Sequence, residues 1–424
     1  MTSTSSRPLP FPHPATSALP ARLRQTLLLA AVCLFSAGAL AEDSLRPEIG
    51  KHLQQAADLA QKGKTKEALA QIGEADAVSG KTAFESFTIE RMRGSVAAAA
   101  GDNATAAKSF EAVVGANKLP AAEQLKTIEA LGGIYYRLKD YAKSATWVAR
   151  YTKEGGNDPA MKALLAQDYY LAGDYAAAAR ELQAEAAAAE SAGKVPSEDR
   201  LQMLLACQKA LKDSSGYVHT MEQLVRHYPK KEYWSDFVHR VETRAGFADR
   251  LKIDLYRFKA AHGFISQETQ VMEMAQLALQ AGFPTLGKKV MDQGFSSGLL
   301  GKGSQADREK RLAKLVDERL AAAQTDAARN LAEARDNRDG TPLINLGMQL
   351  ADAGDAKQGI ALAEEGYKKG NFRHPDDARL RLAEIYIDQK QDGKAVALLK
   401  GVGGNDGAAD VAHLWLLQAH NGAQ

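Results

Sequence analysis

The stretch "LAGDYAAAAREL", residues 171–182, sets a glycine that stops one helix almost directly before the alanines that start another. The arrangement recurs along the chain. Clear copies pair Gly63 with Ala68, Gly101 with Ala106, Lys139 with Ser144, Gly173 with Ala178, Gly282 with Gly287, Gly354 with Gly359 and Lys390 with Ala395. Successive copies lie 34 to 38 residues apart or near whole multiples of 36, and turns near Lys212, Gly246 and Ala323 fill the gaps. About ten copies of one supersecondary unit therefore occupy the chain, which constrains its fold more than any compositional figure.

Each copy reads as two helices around its turn. Before Lys139, the residues Ile128, Leu131, Ile134, Tyr135 and Leu138 fall at helical spacing and form one apolar stripe. A second short helix, "AKSATWVARY", follows. Seven residues before the turn another small residue recurs, as Gly94, Gly132 and Gly347 in three copies and Ala166, Ala275 and Ala383 in others. Helices pair closely only where a side chain is small, so one small residue in each helix predicts a tight hairpin. In the opening stretch, Gly173 ends the first helix, Asp174 caps the second, Tyr175 packs across the hairpin and Ala178 lets the helices close.

The segments "GGIYYRLKDYAKSA", "LAQDYYLAGDYAAAA" and "LAEIYIDQKQDGKA" together resemble the tetratricopeptide repeat (TPR), a helix-turn-helix unit of about 34 residues. The resemblance implies an all-α chain, a right-handed superhelical solenoid of about ten TPR-like hairpins, and "DVAHLWLLQAH" supplies a C-terminal capping helix through Leu414, Trp415 and Leu417. In that family the first helices of successive repeats line a concave groove. Carried onto this chain copy by copy, that face comprises Arg91, Ser95, Lys126, Glu129, Tyr136, Arg137, Gln167 and Tyr170, and toward the C-terminus Gln276, Met348, Asp377 and Glu384. The Lys and Asn pattern with which part of the family clamps a terminal carboxylate does not occur on it.

The N-terminus carries a different signal. The first acidic residue of the chain is Glu42; before it come two arginines in "ARLRQ", the apolar run "TLLLAAVCLFSAGAL" and "ALAE". A positive region, an apolar region and small residues at Ala39 and Ala41 predict a signal peptide over 1–41, cleaved before Glu42. The run of about 15 apolar residues is short for a membrane span, which needs about 20. The expected location is the periplasm of a Gram-negative bacterium. With Cys33 in that leader, only Cys207 remains, a candidate small core residue. The glycine-rich "QGFSSGLLGKGSQ", residues 293–305, reads as a long loop, and it divides an N-terminal and central array, 42–300, from C-terminal repeats and the closing helix, 301–424.

Chemistry has few footholds. Of 54 Lys and Arg, three (Arg7, Arg22 and Arg24) lie in the leader, so the rest has one basic side chain fewer than its 52 acidic ones, and no basic field points to nucleic acid. "GFSSG" offers Ser296 as a hydrolase nucleophile, but that motif belongs on a turn after a strand, and here it follows a helical segment. "GLLGKGS" lacks the Ser or Thr after lysine that a phosphate loop needs. Cys207, His219, His227 and His239 show no metal-ligand spacing. "RHYPKKEYW" mixes basic and aromatic residues but reads as a repeat junction, with Tyr233 and Trp234 packing into the next helix. No cofactor, metal or catalytic residue is indicated. The expected function is a non-catalytic scaffold that binds a protein or peptide in its groove and supports envelope assembly, export or a TonB-type system. A peptidoglycan or polysaccharide binder using Tyr136, Tyr170 and Trp147 is the alternative, and a hydrolase using Ser296 a further one.

Overall fold

The computed structural model describes residues 44–422, with side chains described to residue 419. The predicted leader and its cleavage residues Ala39, Ala41 and Glu42 lie outside the described residues. Among the described residues there are twenty-one α-helices and no strand, so the class is all-α: ten successive helix pairs and one closing helix. The chain divides into two compact units between Thr220 and Met221. The glycine-rich loop near residue 300 thus falls inside the second unit.

The first unit holds α1 (Pro47–Gln61), α2 (Thr65–Ala77), α3 (Ala83–Ala100), α4 (Asn103–Gly115), α5 (Ala121–Arg137), α6 (Tyr141–Lys153), α7 (Pro159–Leu171), α8 (Tyr175–Ser191) and α9 (Glu198–Leu211), and the division falls within α10 (Ser214–His227). From α1 to α9 each helix packs on the next, as stacked hairpins do. The core lies between neighbouring helices, and in the middle of the stack Phe110, Ile128, Leu131, Ile134, Val148, Met161 and Leu165 are buried together. Cys207 lies wholly buried in α9, and burial pushes its thiol up to about 11, so it packs as a small apolar side chain.

The second unit holds α11 (Lys231–Glu242), α12 (Lys252–Ala261), α13 (Glu268–Gln280), α14 (Pro284–Ser296), α15 (Ala306–Thr325), α16 (Ala327–Asp336), α17 (Thr341–Asp352), α18 (Ala356–Lys369), α19 (Pro375–Asp388), α20 (Asp392–Leu399) and α21 (Ala408–Gly422). Its helices also pack in order, but α21 covers α19 and α20 and in addition turns back onto α11 and α12. Leu414, Trp415 and Leu417 are buried as expected of a closing helix. The Trp415 ring meets Phe258 of α12 edge-on, 5.0 Å between centroids. Tyr233 and Trp234 are core residues of the α11–α12 junction, with Trp234 5.6 Å from Phe258.

The hairpins close by one local device. Nine of the ten predicted turn residues have positive φ, from Lys390 at 55° to Gly354 at 96°. In the turn after α7, the Asp174 N–H donates to the Tyr169 carbonyl and the Gly173 N–H to that of Tyr170, the paired bonds of a Schellman end. The Asp174 carboxylate then accepts from the Ala177 N–H and starts α8. Asp102, Asp140 and Asp355 cap α4, α6 and α18 in the same way. Ala323 is the exception: it sits inside α15, and the chain breaks three residues later at Asp326, because the alanine-rich segment contains no glycine to take the left-handed conformation. The segment 293–305 is likewise not all loop, since α14 runs through Ser296.

Five residues beyond the turns, Ala68, Ala106, Ser144, Ala178 and Ala395 are all wholly buried, and Gly287 and Gly359 are buried too. The glycines seven residues before the turns face the second helix of their hairpin. A Cβ on Gly132 would stand 2.7 Å from Val148 Cγ2, and one on Gly347 would stand 2.5 Å from the Gly359 carbonyl oxygen. The α17–α18 pair is glycine against glycine, backbone on backbone, at both Gly347–Gly359 and Gly340–Gly366. Gly73, in α2, has open space where a Cβ would stand. Gly347→Ala is therefore expected to lower stability by about 1–3 kcal/mol through overpacking. Gly73→Ala is expected to raise it by about 0.5–1 kcal/mol through helix propensity. Urea denaturation of the two variants, followed by far-UV circular dichroism, checks the opposite signs.

Candidate functional site

In the first unit the face expected from successive first helices is assembled from α3, α5 and α7. Arg91 on α3 reaches Glu123 on α5 at 2.7 Å. Tyr136 on α5 accepts a hydrogen bond from the Gln167 amide on α7 at 3.0 Å. Two contacts with partners 32 and 31 residues apart thus tie three neighbouring hairpins along one side. Tyr136 and Tyr170 each pack edge-on against a tyrosine across their own hairpin, Tyr141 at 5.6 Å and Tyr175 at 5.7 Å. Tyr136 and Tyr170 are half-buried, as are Arg91, Ser95, Glu129 and Gln167, while Lys126 and Arg137 are exposed. The Ser95 hydroxyl donates to the Arg91 carbonyl within its own helix. Arg137 donates to the Asn103 side chain at 3.0 Å. Burial, with the Asp158 charge nearby, pushes the Glu129 carboxyl up from its ordinary range.

Behind this face a buried polar contact joins α5, α6 and α7. Ser144, the small residue of its hairpin, lies against the Gly132 carbonyl at 3.0 Å and against Asp168, which is wholly buried. Burial pushes the Asp168 carboxyl up to about 7, a shift the Ser144 hydroxyl partly opposes. Its other oxygen, Oδ1, has no partner, as suits a neutral carboxyl.

In the second unit the expected face is not a surface. Gln276 is half-buried on α13, but Met348, Asp377 and Glu384 are 2 %, 4 % and 3 % exposed. Arg250, just before α12, and Asp254 and Arg257 on α12 pair with residues of α19 and α17, so that residues expected to meet a partner meet the chain itself. Asp377 accepts two bonds from Arg250, at 2.8 and 3.1 Å. Arg381 on α19 grips Asp254 on α12 at 3.1 and 3.3 Å, and Arg257 on α12 grips Asp352 at the end of α17 at 3.0 and 2.7 Å. These partners are 127 and 95 residues apart. Both guanidiniums also lie over Phe283, which is wholly buried, at 5.0 and 5.8 Å from its centroid. Removing one partner of such a buried pair costs about 3–5 kcal/mol. The single legible trace of this network is a charged residue, Arg381, set between Leu380 and Leu382, which are both buried.

The enzymatic motif also has a definite place. Ser296 is exposed at the C-terminus of α14, and its hydroxyl donates to the Gln293 carbonyl one turn back. That is a helix end rather than the strained strand-to-helix turn of a nucleophile elbow. The His374 backbone caps α19; the side chain of His420 lies outside the described residues. No helix among the described residues is long and apolar enough to cross a membrane.

No family model and no curated protein matches the chain. Solved structures similar to it include a tetratricopeptide repeat protein from Parabacteroides merdae ATCC 43184, 8% identical with a TM-score of 0.29 over 80% of this chain and 99% of that one. Yeast Tom70 is 12% identical with a TM-score of 0.25 over 89% and 96% of the two chains. At these scores the overlays carry no argument, and the TPR-like hairpins stand on the turns and contacts of the chain itself.

Asp168 has a folded-state pKa near 7, above the roughly 3.9 of an exposed aspartate, so the folded unit holds the proton more tightly. The stability this confers is full below about pH 4 and is lost as pH rises through about 7. The stability difference between wild type and Asp168→Asn is expected to change by about 1.4 kcal/mol per pH unit between about pH 5 and 6, in favour of the variant as pH rises, and to level off above about pH 7. Urea titrations at a series of pH values read this slope directly.

Proposed function

We propose that this array of TPR-like hairpins is a non-catalytic scaffold of the periplasm that holds a protein or peptide on the first-helix face of its N-terminal unit. Such a scaffold would support an envelope assembly, export or TonB-type system. The observation that carries this reading is the joining of α3, α5 and α7 through Arg91–Glu123 and Tyr136–Gln167. A face built from several hairpins, mixing half-exposed charge with tyrosine, offers the anchors and the polar rim by which protein surfaces recognise one another. The signal-peptide pattern over 1–41 supports export.

The sugar-platform alternative needs Tyr136, Tyr170 and Trp147 exposed together. Trp147 instead lies on the second helix α6, packed against the core cluster with Arg150 over its ring at 5.4 Å, and the two tyrosines are engaged edge-on in their hairpins. The protein-binding reading is tested by placing a photo-crosslinking amino acid at Lys126, on the face, or at Lys143, exposed on α6, in an exporting bacterium. A discrete partner captured from the periplasmic fraction at position 126 and not at 143 is the expected result. Equal capture at both positions, or self-contacts alone, would contradict it.

A further inference from the structure

A cavity of about 190 Å³ opens within the second unit between α12, α13, α14, α19 and α21. Its wall is apolar on one side, formed by Met274, Leu286, Val290 and Trp415, whose indole Nε1 has no hydrogen-bond partner, and charged on the other, where Arg257, Lys289 and Asp352 join Glu384 and Asp388, one helical turn apart on α19. The charges around Glu384 do not balance. Asp254 is taken by Arg381 and Asp352 by Arg257, each through two hydrogen bonds, and Asp388 has the Lys289 charge near it. Glu384 is left over: it comes only to 4.0 Å of Arg257 Nε, and neither of its oxygens has a hydrogen-bond partner although its side chain is 4% exposed.

A buried carboxylate without donors costs several kcal/mol, so the site favours either a proton on Glu384 or a cation beside it. The cavity decides between a bound water and something larger. It exceeds the roughly 150 Å³ that accommodates a benzene-sized molecule, and apolar side chains make up much of its wall. The Trp415 indole adds an aromatic surface suited to a cation. An anion has little to gain there, since the Arg257 terminal nitrogens are committed to Asp352, the Lys289 charge lies near Asp388, and Glu384 would repel it.

We propose that this cavity is a binding site for a small primary amine, bound as its ammonium against Glu384 with its apolar body on Met274, Leu286, Val290 and Trp415. Burial holds the Glu384 carboxyl well above its ordinary range, with the Asp254 charge acting in the same direction and the Arg257 and Arg381 charges against it, and an ammonium beside it favours the ionised form. The site is separate from the first-helix face of the other unit, and the scaffold reading does not depend on it.

Isothermal titration calorimetry of the full chain with benzylammonium chloride, at pH 8 and low salt, tests it. One site is expected, with benzyl alcohol, the neutral isostere, at least about tenfold weaker, equivalent to 1.4 kcal/mol. Glu384→Gln is expected to weaken benzylammonium at least about tenfold with an unchanged circular dichroism spectrum. Should that variant fold poorly, Ala261→Phe, at an exposed position on the cavity wall, is expected to abolish binding by filling the space. No binding of benzylammonium to the wild type, binding equal to that of benzyl alcohol, or binding undiminished in the folded variants would overturn the proposal.

Discussion

The approach of two helices at small residues, just after a left-handed turn, is the contact on which the rest of this structure depends. At Gly347 and Gly359 the backbones come so close that a single methyl group on either would clash. At Gly132 the side chain of Val148 fills the space that a Cβ would occupy. The turn sets where the second helix begins, and the small residue sets how near it lies. Together they repeat one hairpin geometry through sequences that otherwise share little. The tyrosines two residues after Lys139 and Gly173 show how closely the geometry repeats: their edge-on contacts to Tyr136 and Tyr170 differ by 0.1 Å, 5.6 against 5.7 Å.

From one hairpin unit the two halves of the chain make different things. In the first unit contacts run from each helix to the next, so its side chains pair across neighbouring repeats and present a face made of several hairpins. In the second, α21 turns back onto α11 and α12, and arginines on α12 and α19 form ion pairs with carboxylates about a hundred residues away in sequence. Buried ion pairs of this kind contribute little net stability compared with an apolar core, but a wrong register would leave a buried charge unpaired. In the second unit they tie α12 to α17 and α19, and they leave one carboxylate, Glu384, over.

What could be read from the sequence follows from the same distinction. The turns at Gly63, Gly101, Lys139 and Gly173, the caps after them and the buried small residues are local, and the repeat states them several times. Ala323 was misplaced because its copy lacks a glycine, so the turn had no residue type to mark it. Met348, Asp377 and Glu384 take a first-helix position that in the first unit faces outward. Asp377 is met by Arg250, just before α12, and Glu384 lies beside Arg257 on α12, and periodicity reports the face of a helix without reporting what lies against that face. Arg250, Arg257 and Asp352 went unnoticed for a related reason: a charged residue reads as surface until its partner, far along the chain, is known. The cavity beside them is a product of the same long-range packing.

The closed second unit is the part of this account that local pattern does not supply, and hydrogen–deuterium exchange of the full chain, resolved by peptide, tests it most directly. Helices α12, α17, α19 and α21 should open together, with a common protection that collapses as one block when Arg257 or Arg381 is replaced by alanine. The hairpins of the first unit should keep their own graded protection in those variants. Fast exchange of α21 independent of α12, or an unchanged pattern in both variants, would contradict the closed unit and the ion pairs said to hold it.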